Sequence, residues 1–399
     1  LPFKTIFHAL SIAKNLQKYM SVLLFGGAFN PPHKEHLHIL KAAIAAIHPD
    51  KVLVMPTFIS PHKSGNLMAS PESRLQMCRL AFGEIPNVTV SSYEIEKGGV
   101  SYSYQTCEHI KEQIGEEPLY FLMGADMLAS FDSWRFPERI LKVATLVACA
   151  RESEADFVGF CQKVQKKFGQ SPVVVPYVGA KVSSTDVRTL AACGEDVTEF
   201  VGPFVAQYMR TNALYAVEIA QKVKLFLKPE RWQHTVRVCV AAVRNCKQAG
   251  VDELTAFTAA VCHDVAKYVP LSSPQLKGFV PPENVPDPVM HQFTGAYIAE
   301  HTLGITDPDI LNAVRHHTTG RAAMSPLEKL IFLADLVEDG RGFNGVEELR
   351  KMYYIDLDAC YFMAIKHQVE FLNTTGMPVY DLTQKSYDYY KNLQENKND

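Results

Sequence analysis

Two sets of side chains have types and spacings suited to phosphate chemistry. In the first, Gly26-Gly27-Ala28-Phe29-Asn30-Pro31-Pro32-His33-Lys34-Glu35-His36 follows a short apolar run. Two glycines let the backbone turn tightly where a strand ends, and the proline pair sets the entry into a helix. His33 and His36 then share one face at the helix N-terminus, where backbone N–H groups and the helix dipole already favour an anion. Two imidazoles there can stabilise negative charge building on phosphoryl oxygens. The second set is His234, the adjacent pair His263-Asp264, His291, His316-His317 and Asp335. Each stands in or beside a separate candidate helix, as expected when a bundle points ligands inward. Imidazole and carboxylate ligands suit Fe, Mn, Zn or similar divalent ions. A His-Asp neighbour pair lets one residue bind terminally while the carboxylate bridges two ions, and a bridged pair can activate water and clamp a phosphoryl group.

The elements around these residues divide the chain in two. In the first half, short apolar runs bounded by Gly, Pro or Asn read as strands: Ser21–Phe25, Lys51–Met55, Val88–Ser91, Leu119–Met123, Thr145–Ala150 and Val173–Tyr177. Helical patterns lie between them, among them His36–Ile47, Pro71–Phe82 and Tyr104–Ile114. That alternation predicts βαβ units and an α/β doubly wound, Rossmann-like parallel sheet, with ligands at the carboxyl ends of its strands. From about Tyr215 onward only amphipathic helical stretches follow, including Arg231–Gln248, Glu253–Ala266, Gly295–His301, Asp307–His317, Ser325–Val337 and Leu357–Thr374, with a break at Pro281–Pro288. They predict an all-α bundle. The expected domains are 20–215 and 216–399. Residues 1–19, basic and without a proper apolar core or cleavage site, are read as an N-terminal extension without structure, non-native or translated from upstream, with a membrane-surface helix as the alternative.

Composition limits the function classes. With 399 residues, 47% apolar and 21% charged, the chain is of ordinary globular make-up and long enough for about two or three domains. Its formal charge of −3 does not suggest a nucleic-acid surface, so anionic substrates must be held by local devices. Nine scattered cysteines without a CxxC pair point to reduced thiols in a cytoplasmic protein. No apolar run approaches the length of a membrane span.

The first half resembles the nicotinate-nucleotide adenylyltransferases of the HxGH nucleotidyltransferase superfamily. Five segments carry the resemblance in order: the Gly26–His36 stretch, Pro56–Lys63, Ser101–Thr106, Gly124-Ala125-Asp126-Met127-Leu128 with Phe131 and Trp134, and Ser183-Ser184-Thr185-Asp186-Val187-Arg188. The resemblance implies in-line adenylyl transfer from ATP, with Mg²⁺, to nicotinate mononucleotide. It needs positioning and charge stabilisation rather than a protein nucleophile. It also implies roles: His33 and His36 on the ATP phosphates, Lys63 as an added cation, Ser184 and Thr185 capping the next helix and offering hydroxyls to phosphate, and Arg188 forking onto phosphate. Asp126 would accept from ribose hydroxyls and Trp134 would stack on the pyridine ring, while Gly26, Gly27, Phe29, Asn30, Thr106 and Gly124 would line the substrate site. The family has Gly between its two histidines. Here Glu35 stands there, and it is expected to face solvent or pair with Lys34 or another cation, away from the triphosphate.

The second half resembles the HD-domain phosphohydrolases that split diadenosine tetraphosphate symmetrically into two ADP. Trp232-Gln233-His234-Thr235, His263-Asp264-Val265-Ala266-Lys267, His291, Gly295-Ala296, His317-Thr318-Thr319-Gly320 and Leu333-Ala334-Asp335-Leu336-Val337-Glu338 carry it. The resemblance implies a di-iron centre, with manganese possible as the metal: His234, His263, Asp264 and Asp335 on one ion, and Asp264 bridging to a second held by His291 and His317. Lys267 would meet substrate phosphate, as would Thr318 and Arg341, while His316 would only support the centre. Two alternatives stay open on sequence: hydrolysis of another nucleotide or phosphate ester, and a metal-bound regulatory module of the adenylyltransferase. The partners expected are small-molecule nucleotides, with no nucleic acid and no membrane, and an oligomer is possible.

Overall fold

The structure, a computed structural model, describes residues 20–59, 67–151, 157–177, 179 and 182–398. The extension 1–19 and the segment with His62 and Lys63 lie outside the described residues. The described chain divides into two compact units. One runs up to Ser184, without residues 67–68, and includes Thr198–Tyr208. The other takes Thr185–Val197, residues 67–68 and the chain from Met209 onward.

The first unit is built on six strands: β1 (Val22–Gly27), β2 (Lys51–Pro56), β3 (Val88–Val90), β4 (Leu119–Gly124), β5 (Thr145–Arg151) and β6 (Val173–Tyr177). All pairings are parallel, in the order β3-β2-β1-β4-β5-β6. A parallel sheet is covered on both faces, which is why its central strands read as unbroken apolar runs. Alternate residues of β1 feed two cores: Val22 and Leu24 pack with Phe121, Phe131 and Trp134, while Leu23 and Phe25 pack with Phe29, Leu40 and Phe82. The order reverses between β1 and β4, so the crevice of a doubly wound sheet opens at their carboxyl ends. Gly26 and Gly27 end β1 there and Gly124 ends β4. The helix Lys34–Ile47 follows β1 with His33 as its extended N-cap residue.

The second unit is helical. Its principal helices are Pro229–Asn245, Glu253–Cys262, Asp287–His301, Pro308–His316, Pro326–Val337, Val346–Tyr353, Leu357–Thr374 and Asp381–Asn398. Two of the boundaries that differ from the sequence reading bear on the site. The prolines of 281–288 do not all break structure: Pro288 occupies the first turn of the helix Asp287–His301, where its missing N–H costs nothing. That helix therefore begins earlier than expected and carries His291. The helix after Asp252 stops at Cys262 rather than Ala266, so His263 and Asp264 stand in the turn just beyond it. Asp252 accepts from the N–H groups of Leu254 and Thr255, and Ser325 forms a reciprocal capping box with Glu328. All nine cysteines are free thiols, and all but Cys161 are buried. No described helix is long and apolar enough to cross a membrane.

Candidate functional site

The crevice of the first unit holds a cavity of about 360 Å³, lined by Gly26, Gly27, Phe29, His33, His36, Thr106, Gly124, Asp126, Trp134 and Ser184, among others. Most residues singled out in the first half therefore meet in one place. His36 Nδ1 accepts from the His33 backbone N–H at 3.2 Å. A neutral imidazole whose Nδ1 accepts carries its proton on Nε2, so His36 has a donor at the distal end of its ring. The two imidazoles lie with centroids 3.9 Å apart, and the Phe29 ring meets His36 edge-on at 5.1 Å. Phe29 thus supports a histidine with a ring that is itself core, 2% exposed.

Other side chains serve the loops. Asn30 Oδ1 accepts from Ala69 N–H at 3.0 Å. Ser184 donates its hydroxyl to Pro31 O at 3.0 Å, which fastens the start of the helix Ser184–Ala192 to the histidine loop. Most of the Trp134 ring packs on Phe121 and Phe131, and the remainder lines the cavity. Thr106 donates to Glu94 Oε1, a buried carboxylate that also lines the cavity and that the sequence reading passed over. Burial raises the Glu94 pKa, and the Thr106 and Ser101 hydroxyls only partly offset it. Within the second unit, Arg188 bonds Thr185 Oγ1 at 3.2 Å and pairs with Glu253.

Glu35 does not face solvent and does not pair with Lys34. It is buried, 5% exposed, and accepts from the Tyr177 hydroxyl at 2.7 Å. Lys34 pairs instead with Glu199 at 3.4 Å. Gly179 makes the room, since a Cβ there would collide with both Glu35 carboxylate oxygens. The departure at 35 is accommodated by Tyr177 and Gly179 together. Glu35→Ala removes the buried hydrogen bond from the Tyr177 hydroxyl, so denaturant unfolding is expected to report a loss of about 1 kcal/mol in the first unit.

In the helical unit the ligand set converges on Asp264, 2% exposed. Its two oxygens face two different groups. Oδ2 lies 3.4 Å from His263 Nε2 and 3.9 Å from His234 Nε2, while Oδ1 lies 3.2 Å from His291 Nε2 and 3.6 Å from His317 Nε2. Asp335 Oδ1 stands 3.0 Å from His234 Nε2. Potential ligand atoms fall into two sets sharing Asp264: His234, His263 and Asp264, and Asp264, His291 and His317.

Three of these imidazoles have their tautomers set from outside. His263 Nδ1 meets Ala260 O at 2.7 Å, His317 Nδ1 meets Val314 O at 2.8 Å, and His234 Nδ1 meets Glu338 Oε1 at 3.1 Å. A carbonyl or carboxylate at Nδ1 keeps a proton there, which leaves each Nε2 as the ring nitrogen that could bind a metal ion. Lone pairs and carboxylate oxygens crowded together repel one another unless a cation sits among them. His263 Nε2 is buried without a hydrogen-bond partner. The donor set fits divalent ions of borderline character.

The electrostatics keep the carboxylates of the centre ionised. Burial alone would raise the Asp264 pKa, but His263, His291 and His317 outweigh it and hold the carboxyl far below its usual range. Burial, helped by His317 and Lys267, brings the His291 pKa down to about 4, so its imidazole is neutral near pH 7. Glu338, opposed by burial but hydrogen-bonded by His234 and Arg237, is lowered to about 2. The sequence reading quoted Glu338 without giving it a task; a carboxylate one turn after Asp335 was the available signal. Glu338→Ala removes the group that orients His234, and metal titration is expected to show affinity weakened about 10–100-fold.

Cations ring the centre. Arg231 lies 2.9 Å from Asp264 Oδ2, Lys267 Nζ is 3.2 Å from His291 Nε2, and Arg341 Nε donates to Asp335 O at 2.8 Å. Arg231 was missed because no spacing marks it. Thr318 Oγ1 lies 3.3 Å from His291 Nε2, and its N–H is held by buried Gln292. His316 turns to buried Glu328 at 3.1 Å, which half-buried Arg321 also holds.

The fold and the two centres define a nucleotide-binding α/β unit joined in one chain to a helical metal-centre unit. The cytidylyltransferase-like family model matches residues 24–190, and the HD domain family model matches 231–339. A Mycoplasma pneumoniae protein called "Probable nicotinate-nucleotide adenylyltransferase/Ap4A hydrolase" is 30% identical over 86% of this chain and 98% of its own length. A Mycoplasma genitalium protein of the same name is 28% identical over 87% of this chain and 97% of its own. A Bacillus subtilis symmetrical bis(5'-nucleosyl)-tetraphosphatase is 36% identical over 42% of this chain and 92% of its own length. The chain belongs to the family of two-part nicotinate-nucleotide adenylyltransferase/Ap4A hydrolases.

Proposed function

We propose that the chain is a bifunctional enzyme of NAD biosynthesis and nucleotide hydrolysis. Residues 20–215 join ATP and nicotinate mononucleotide into nicotinate adenine dinucleotide, releasing pyrophosphate. Residues 216–399 hydrolyse diadenosine tetraphosphate to two ADP. Family membership supports both activities, and each centre supplies the matching chemistry.

For the transfer, the attacking phosphate is already ionised, so the protein's work is alignment and charge stabilisation. His36 donates from Nε2 and His33 stands beside it at the helix N-terminus. Asp126 and Trp134 hold the sugar and ring of the substrates, and Lys63 adds a phosphate contact. Mg²⁺ accompanies ATP.

For the hydrolysis, the observation that carries the reading is the division of Asp264 between two histidine pairs. His234, His263 and Asp335 would hold one ion with Asp264, and His291 and His317 the other. A bound divalent pair supplies positive charge to a phosphoryl group under attack. Arg231, Lys267, Thr318 and Arg341 then neutralise and orient the phosphate chain. Iron is the metal we favour, with manganese able to replace it. The protein acts in the cytoplasm on small nucleotides, without nucleic acid or membrane, and an oligomer is compatible with it.

The test is a pair of assays on one preparation. Pyrophosphate release is expected only with both ATP and nicotinate mononucleotide, and cleavage of the diadenosine tetraphosphate anhydride only after loading with Fe²⁺ or Mn²⁺. Equal pyrophosphate release without the mononucleotide would overturn the first half. Cleavage undiminished by a chelator would overturn the second.

A further inference from the structure

Arg74 is the largest fully buried side chain of the described chain, with 1% exposed, and none of the chemistry above uses it. It stands early in the helix Pro71–Phe82, which Ser70 caps. Its guanidinium reaches three separate stretches of backbone. Nη1 donates to Ala28 O at 2.8 Å, Nη2 donates to Phe58 O at 2.8 Å, and Nε donates to Ala69 O at 3.3 Å. Ala28 lies in the turn between β1 and His33, Phe58 follows β2, and Ala69 precedes the helix.

The same stretches are tied to one another by neutral bonds. Thr57 N–H donates to Gly27 O at 3.0 Å, Ala69 N–H to Asn30 Oδ1 at 3.0 Å, and Phe58 N–H to Ser101 Oγ at 3.0 Å. Ala28, Thr57 and Ser101 all line the nucleotide cavity beside His33 and His36. Burying a full charge is an unfavourable way to add stability, because its desolvation opposes the bonds it makes. What a guanidinium offers instead is a planar fork that fixes several acceptors at set angles, which an ammonium on a flexible stem cannot reproduce.

We propose that Arg74 is a positioning residue for adenylyl transfer, fixing the turn that presents His33 and His36 to the phosphates. The proposal rests on the transferase reading of the first unit. Arg74 itself touches no substrate. It acts through the three carbonyls, and small displacements of aligned groups lower turnover more than they weaken binding.

The experiment uses the full chain with Arg74→Lys, which keeps the charge and loses the fork. Steady-state transfer is measured with ATP and nicotinate mononucleotide varied in turn, alongside amide hydrogen exchange. Turnover is expected to fall about 30- to 100-fold with KM values changed less than about three-fold. Amides of Thr57, Phe58 and Ala69 should exchange faster while β1, β2 and β4 stay protected. Parental turnover in Arg74→Lys overturns the proposal, as does a rise in KM without a fall in turnover. If Arg74→Lys exposes the whole sheet, Arg74→Gln decides, since its amide can still donate to one of the carbonyls without burying a charge. A fall in turnover of about five-fold with the sheet protected supports the proposal, and unchanged turnover overturns it. Absence of transfer in the unsubstituted chain would instead overturn the transferase reading.

Discussion

Asp264→Ala is expected to lower diadenosine tetraphosphate hydrolysis at least about 1,000-fold while leaving adenylyl transfer at its parental rate. The reason is the position of one carboxylate between two sets of imidazoles. Oδ2 faces His263 and His234, and Oδ1 faces His291 and His317. Removing it takes a ligand from both ions at once, and no neighbouring carboxylate reaches both sets: Asp335 stands at His234 and is engaged by Arg341. Elemental analysis of the purified variant should find fewer ions per chain than in the parent, and circular dichroism should show its helices intact. Two retained ions with lost hydrolysis would mean that Asp264 acts on the substrate rather than as the bridge. Undiminished hydrolysis would remove the centre from the account.

His36→Asn is the complementary experiment. Asparagine can still accept the His33 N–H with its side-chain oxygen, so the helix start keeps its bond. It lacks the distal N–H with which, on the proposed reading, His36 would meet phosphate. Transfer is expected to fall about 100- to 1,000-fold, the loss typical of one preorganised donor at a developing charge. Tetraphosphate hydrolysis should be unchanged. Rapid-quench measurement of the dinucleotide product separates this from slow product release. A variant with parental transfer would show that the helix N-terminus and His33 suffice.

How much of this was legible beforehand differs between the two halves. The parallel sheet was visible because its strands are buried on both faces and read as apolar runs; β6 matches its expected span of Val173–Tyr177. The helix carrying His291 was mis-started because proline was taken only as a breaker, whereas Pro288 sits where a helix needs no N–H. The helix Asp381–Asn398 went unread, since its polar sequence gives little apolar periodicity. Among site residues, the histidines and Asp264 declared themselves by type and order. That Glu35 is buried rather than solvent-facing is not legible locally, because its place depends on Tyr177 and Gly179, more than 140 residues away, and no local rule joins them. The place of Glu338 one turn after Asp335 is visible in the sequence but its partner His234 is not, and Arg231 and Arg74 likewise work through partners brought together by the fold. Spacing along one helix reveals residues that share a face, but not a carboxylate that orients another helix's histidine.

The measurement that bears most directly on the central claim is product analysis on diadenosine tetraphosphate. The full chain would be purified without oxygen, loaded with Fe²⁺ or Mn²⁺, supplied with the dinucleotide, and its products resolved by anion exchange. The account predicts ADP as the sole nucleotide product, formed by the parent and absent with Asp264→Ala. AMP with ATP, or no product from a chain that holds its metal ions, would contradict it.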